Sequence, residues 1–201
     1  DDAEKIVKEL IEKSKLNNNN RALARAYYSY SNILRLKAEM FPAIDIQKKS
    51  LKIYKILKNK KFIIRCYGAL SFFYDLIGNN SESMDYTNKA LAMLKKLGDR
   101  EGIGYYYRRK GNTYSKLGNY DNALKYYNIS IKHIFNNTEH DIEKMEMIKF
   151  DIHQVYSSMG EFDLAINYFF THYEDAKNRT DALWCIAVFW QISEGYLVQE
   201  K

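Results

Sequence analysis

A rhythm of aromatic and small residues that returns about every forty positions constrains this chain more than any other feature in it. Tyr27, Leu34, Ala43 and Ser50 are followed at a shift of 40 by Tyr67, Tyr74, Ser83 and Ala90, and at another 40 by Tyr107, Tyr114, Ala123 and Ser130. A shift of 42 brings Tyr156, Gly160, Phe162, Ala165 and Phe169 into line, the two added positions fitting within the polar stretch 136–140. A last half-unit from Asp181 repeats the stretch from Asp99 to Tyr114 at a shift of 82, through Phe189 and Tyr196. Self-similarity at such a period means units that cannot bury their apolar faces alone and must stack on one another.

The stretch 99–135 shows what one unit is. Ile103, Tyr106, Tyr107, Tyr114 and Leu117 recur at spacings of three, four and seven, and after a Gly-Asn break Tyr120, Ala123, Leu124, Tyr127 and Ile131 do the same. Those are two amphipathic helices. Gly111 and Ala123 let them approach closely, and Gly118 stands where a helix end needs a left-handed residue. With one Pro and nine Gly among 201 residues, breakers are too few for an all-β chain, and 46% hydrophobic residues suffice for a packed core. At the N-terminus, residues 3–16 form a helix with Ile6, Leu10 and Ile11 along one side and Val7 and charges opposite, and residues 17–20 form a turn. Ala26, Tyr27, Tyr30 and Leu34 then point inward, Pro42 opens the next helix, and Ala43, Ile46, Leu51 and Tyr54 continue it.

Gly-Asn-Tyr at 118–120, with Ala123, Tyr127, Gly111 and Tyr114, resembles a tetratricopeptide repeat. The fourth unit resembles it through Tyr156, Gly160, Phe162, Ala165 and Phe169, with His153 where Gly111 stood; the first two units are degenerate, carrying Ser31 and Ser71 there and Ala38 in place of Gly118. The stride of 40 and the Leu97-Gly98-Asp99 turn resemble the long-helix variant of bacterial signalling proteins. The resemblance implies an all-α fold, a right-handed α-solenoid of helical hairpins with about nine helices. The expected layout is one array over 1–201, with units near 21–58, 61–97, 100–137 and 141–177 and lone helices at 3–16 and 181–199. It also implies that the first helix of each hairpin lines a concave groove.

Residues one turn apart on those first helices, outside the core stripe, are the expected groove. They are Arg25, Tyr28, Asn32 and Arg35 in the first unit, then Arg65, Phe72 and Asp75 in the second. The third supplies Tyr105, Arg108, Asn112, Ser115 and Lys116, the fourth Phe150, Gln154 and Ser157, and the last helix Trp190 and Glu194. Side-chain amides can serve a peptide backbone as donor and acceptor, guanidinium groups hold carboxylates at two points, and aromatic faces pack apolar side chains. An extended peptide or protein segment, acidic in one version, is therefore the expected partner. Arg108 with Asn112 resembles half of a carboxylate clamp, while Gly68 and Phe72 stand where the other half would be. As groove residues, Arg108 and Asn112 are expected to matter for binding and not for stability.

No catalytic, metal or cofactor site is expected. His133, His140, His153 and His172 lack metal-ligand spacing, and no glycine-rich phosphate loop is present. Cys66 and Cys185 lie in helical patterns and read as buried thiols, which suits a reducing compartment. The net charge of +6 reads as a solvated surface with Lys and Arg spread along the chain, so no nucleic-acid partner is expected. The longest apolar run, 183–190, is too short to insert across a membrane. The chain starts on Asp1 and closes inside a helical pattern, so it reads as a segment of something longer. The expectation is a non-catalytic binding scaffold, the sensory or regulatory segment of a larger bacterial signalling protein. A cytoplasmic setting is the first reading and an extracytoplasmic sensor the alternative. A self-association module stays open as well, since Trp184, Phe189 and Trp190 would leave a homo-oligomer surface on the terminal helix.

Overall fold

The computed structural model describes residues 2–134, 139–165 and 167, and among them all regular structure is helical. Eight helices follow in order: α1 (Asp2–Leu16), α2 (Asn20–Leu36), α3 (Met40–Ile56), α4 (Lys60–Leu76), α5 (Asn80–Leu97), α6 (Arg100–Lys116), α7 (Tyr120–Ile134) and α8 (Glu139–Met159). The chain divides into two compact bodies, with the boundary inside α6 between Tyr106 and Tyr107. Phe169, Cys185 and the expected last helix with Trp184, Phe189, Trp190 and Glu194 lie outside the described residues.

From α1 to α7 the helices are separated by corners of one design. A residue with positive φ stands at 18, 38, 58, 78, 98 and 118, every twenty positions, and again at 160. At each corner the left-handed residue bonds back three residues and the next one bonds back five. At Ala38 these bonds are 3.0 Å to Arg35 O and, from Glu39, 2.9 Å to Leu34 O; at Gly118 they are 3.0 Å to Ser115 O and, from Asn119, 2.9 Å to Tyr114 O. This pair of bonds satisfies carbonyls that a helix end would leave open. The residue that completes the stop then starts the next helix. Asn19, Asn59, Asn79, Asp99 and Asn119 each accept from the backbone N–H three residues on, at 3.0, 3.3, 3.2, 2.9 and 3.3 Å respectively. The forty-residue rhythm is thus two twenty-residue modules, each a helix and a corner. Pro42 falls in the first turn of α3, where its missing N–H costs nothing.

In the first body, α2 packs on α1 and α3, and α4 on α3 and α5. Val7, Ile11 and Ala26 meet in a core with Leu23, Tyr27, Tyr30 and Ile33 around it. The expected stripe on α1 is therefore off by one position: Val7, Ile11 and Ser14 are buried, while Ile6 and Leu10 are 56% and 48% exposed. One residue is a 100° rotation on a helix, and both choices are apolar, so only the position of α2 decides between them. Glu4 pins α1 to the end of α2, taking Lys8 at 2.7 Å and Lys37 at 2.5 Å while Tyr30 donates to it at 3.2 Å. Those hydrogen bonds, Lys37 first and Lys8 second, pull its carboxyl down to about 2. Leu117, expected in the core, is 56% exposed because it belongs to a corner, as do Leu16, Leu36 and Leu76.

Within each hairpin the two helices are locked at equivalent positions by different chemistry. Ser31 bonds the Gln47 amide at 2.5 Å, and Ser71 bonds the Thr87 hydroxyl at 2.8 Å; all four side chains are buried. In the second body a Cβ on Gly111 would lie 2.5 Å from the Tyr127 ring, so that glycine is the hole into which the tyrosine fits. At the matching place on α8, the ring of buried His153 meets the Ala165 carbonyl at 3.0 Å. Small faces large, or hydroxyl faces polar group, and of the buried polar atoms in these locks the Gln47 Nε2 is left without a hydrogen-bond partner.

Candidate ligand groove

The first helices of the first body are α2, α4 and the opening of α6. Arg25 and Arg65 stand at equivalent positions and are both exposed. The Arg65 guanidinium lies 5.3 Å from the centre of the Phe62 ring, and Phe62 stacks on fully buried Tyr54 at 4.7 Å. Arg35 lies 5.7 Å from the centre of the Phe72 ring, so α2 and α4 meet there through a cation and an aromatic face. Among the described residues none of these three arginines has a carboxylate within ion-pair distance.

Tyr28 is half-buried between them, and burial pushes its phenol up, the Cys66 thiol adding to the effect, Arg65 opposing it and Tyr105 adding again. Side chains from α2, α4 and α6 thus share one neighbourhood. Tyr105 is 50% exposed and meets Tyr106 edge-on at 5.2 Å. Tyr106 in turn donates to the Ile64 carbonyl at 3.1 Å, and a Cβ on Gly68 would fall 2.4 Å from its hydroxyl oxygen. Gly68 is accordingly a docking seat for α6 and cannot carry a ligand-binding side chain. Asn32 donates to the Tyr28 carbonyl at 3.0 Å, which fixes the amide on the helix surface.

The second body differs. Arg108 is held at two points by Asp151, Nε to Oδ2 at 2.5 Å and Nη2 to Oδ1 at 3.3 Å, and reaches the Met147 sulfur at 3.6 Å. Asn112 accepts from the Tyr127 hydroxyl at 2.8 Å. Both are therefore part of how α6 is fastened to α8 and α7, which overturns the expectation that they matter for binding alone. Ser115 and Phe150 are half-buried and Gln154 is exposed; the latter two lie one turn apart on α8. Sequence reasoning missed Phe62 and Asp151. Phe62 precedes Arg65 by three residues on the same helix, a spacing that sequence can show. Asp151 lies 43 residues beyond Arg108 on another helix, and no local pattern links them.

The tetratricopeptide repeat family model matches residues 105–132, the part of α6 and α7 that holds the Gly111–Tyr127 fit and the Gly118 corner. That stretch matches one tetratricopeptide repeat. The neighbouring hairpins replace the glycine and tyrosine of this repeat with Ser31 and Gln47 or Ser71 and Thr87, which keeps the fold and loses the motif. No curated protein sequence matches the chain. Among solved structures, BtubC from P. vanneervenii is similar at a TM-score of 0.76 and 12% identity, over 98% of this chain and 80% of that one. Aspartyl phosphate phosphatase F from Bacillus subtilis is similar at 0.72 and 14% identity, over 82% of this chain and 43% of that one. A signal transduction ATPase with numerous domains and a tetratricopeptide repeat sensor, from Pyrococcus horikoshii, is similar at 0.70 and 17% identity, over 88% of this chain and 26% of that one. Such identities show the fold alone, and this fold carries unrelated functions, so function has to be argued from the groove itself. No group of three or more His, Cys, Asp or Glu able to hold a metal occurs among the described residues.

Proposed function

We propose that the first-helix face of this tetratricopeptide-repeat chain is a non-catalytic groove for an extended, acidic peptide or protein segment. The observation that carries this reading is the contrast between arginines. Arg108 already holds a carboxylate of its own chain, whereas Arg25, Arg35 and Arg65 have none among the described residues, and two of them are braced on ring faces. A guanidinium braced by stacking has lost rotamer freedom in advance, so less is lost when it grips a carboxylate. Tyr28, Phe72 and Tyr105 offer ring surface between the cations for the apolar side chains of the same peptide.

The same proposal places the chain as the sensory or regulatory segment of a larger bacterial signalling protein. Similarity to a part of a tetratricopeptide sensor protein and to a part of an aspartyl phosphate phosphatase supports that reading. The buried, free Cys66 thiol suits a reducing, cytoplasmic setting. Self-association is a second reading, favoured by the exposure of Ile6 and Leu10 on α1. Light scattering at several concentrations separates them, because a monomer throughout removes it.

An immobilised peptide library tests the groove. The native protein should select sequences rich in Asp and Glu around an apolar residue, and Arg35→Ala with Arg65→Ala should abolish the selection while the melting temperature holds. Selection that survives both substitutions would overturn the assignment.

A further inference from the structure

Between Asp45 and Asp75 the chain carries eight basic residues and no acidic one. All eight are exposed, and none makes an ion pair among the described residues. The even spread of charge expected from the sequence therefore fails at one place, the corner where α3 gives way to α4. Lys52 and Lys55 lie on the last turns of α3, Lys58 is the left-handed residue of the corner, and Lys60 and Lys61 open α4.

The C-terminal end of the α3 dipole accounts for Lys55 in its last turn, but local structure does not ask for the lysines that open α4. A helix N-terminus carries the positive end of the dipole and favours carboxylates. Helices α1, α5, α6 and α7 have Asp or Glu in their first turn; α2, α3 and α4 have none, and of these α4 begins on two lysines. Lys58, with φ 52°, sits where an L side chain is disfavoured and glycine serves four of the other corners. At the centre of the same corner Ile56 and Leu57 are 67% and 40% exposed.

A partner for this corner must offer dense negative charge to its exposed lysines and must accept two aliphatic side chains. Nucleic acid meets the first need and not the second. Single strands are held by stacking on free rings, and here Tyr54 is buried under Phe62 while Tyr67 is buried beneath Lys55, whose ammonium lies 5.7 Å from the ring centre. Seven of the eight cations are Lys, point charges rather than the flat forks that read bases. We infer that the α3–α4 corner docks on an anionic lipid surface, with the lysine heads among the phosphates and Ile56 and Leu57 entering the boundary between headgroups and acyl chains. Docking of this kind needs no spanning helix, and none of the described helices is long and apolar enough to be one.

Sedimentation with phosphatidylcholine vesicles, with and without phosphatidylserine, tests this. The protein should pellet only with the mixed vesicles and be released by salt. Lys60→Gln should weaken binding about fivefold, the share of one lysine at an anionic surface, while raising the melting temperature because it relieves the α4 N-terminus. Ile56→Ser should weaken vesicle binding and leave binding to a DNA duplex unchanged. Failure to pellet with phosphatidylserine overturns the inference. So does unchanged pelleting of Lys60→Gln, or an Ile56→Ser protein that pellets normally while the native protein holds the duplex more tightly than the vesicles.

Discussion

Arg108 on α6 and Asp151 on α8 are joined at two points, with side chains only 22% and 13% exposed. Burial pushes the Asp151 carboxyl above its ordinary value, and Arg108 only partly offsets this. An acid whose folded value is raised favours folding below its unfolded value, and that contribution is lost as pH rises through the folded one. Arg108→Leu removes the counter-charge and raises the folded value further. The loss should be about 3 kcal/mol at neutral pH, the lower end for a buried pair because both partners see some solvent, and should shrink as pH falls toward the usual carboxylate range. Urea unfolding at pH 7 and at pH 4 checks it. Arg108→Leu with Asp151→Leu should regain most of the loss, and an equal loss at both pH values would contradict the burial of Asp151.

The hairpin locks predict unlike failures. Gly111→Ala drives a methyl into the Tyr127 ring and should cost about 1–3 kcal/mol through overpacking. Ser31→Ala leaves buried Gln47 without its partner and should cost about 1–3 kcal/mol through an unsatisfied polar group. Pairing Ser31→Ala with Gln47→Leu should recover part of the second loss. Midpoints of urea unfolding for the three proteins separate the two mechanisms.

Ala38 holds a φ of 62° at a corner where Gly78, Gly98 and Gly118 hold 74°, 67° and 71°. Because Ala has a Cβ and no side-chain group to ease that conformation, Ala38→Gly should raise stability by about 1 kcal/mol, despite the added freedom of the unfolded chain. Gly118→Ala should lower stability by a similar amount. A neutral or lower melting temperature for Ala38→Gly would mean that the corner carries no such strain.

These particulars also say what a reader of the bare sequence can see. Tyr27, Tyr67 and Tyr107 recur because stacked hairpins need the same half-buried or buried position filled, so the repeat and the all-α fold are legible. The twenty-residue corner is hidden, since Asn18, Ala38 and Lys58 adopt by context the conformation that glycine would advertise. Residues on the open face, such as Arg35 and Arg65, follow from helical spacing once the hairpins are known. Whether such a residue is free or already engaged, as Arg108 is, depends on the distant helix that carries Asp151. The lysines from 48 to 61 were visible all along, and averaging over the chain concealed them.

The central claim is that an acidic segment binds along the first helices of the first body. It is tested most directly by titrating isotope-labelled protein with an acidic peptide and following the backbone amide signals. The account predicts saturable shifts clustered near Arg25, Asn32, Arg35 and Arg65 on α2 and α4, lost when Arg35 and Arg65 are both replaced by Ala. Saturable shifts confined to the outer faces of α3 and α5, or shifts that persist in the doubly substituted protein, would contradict it.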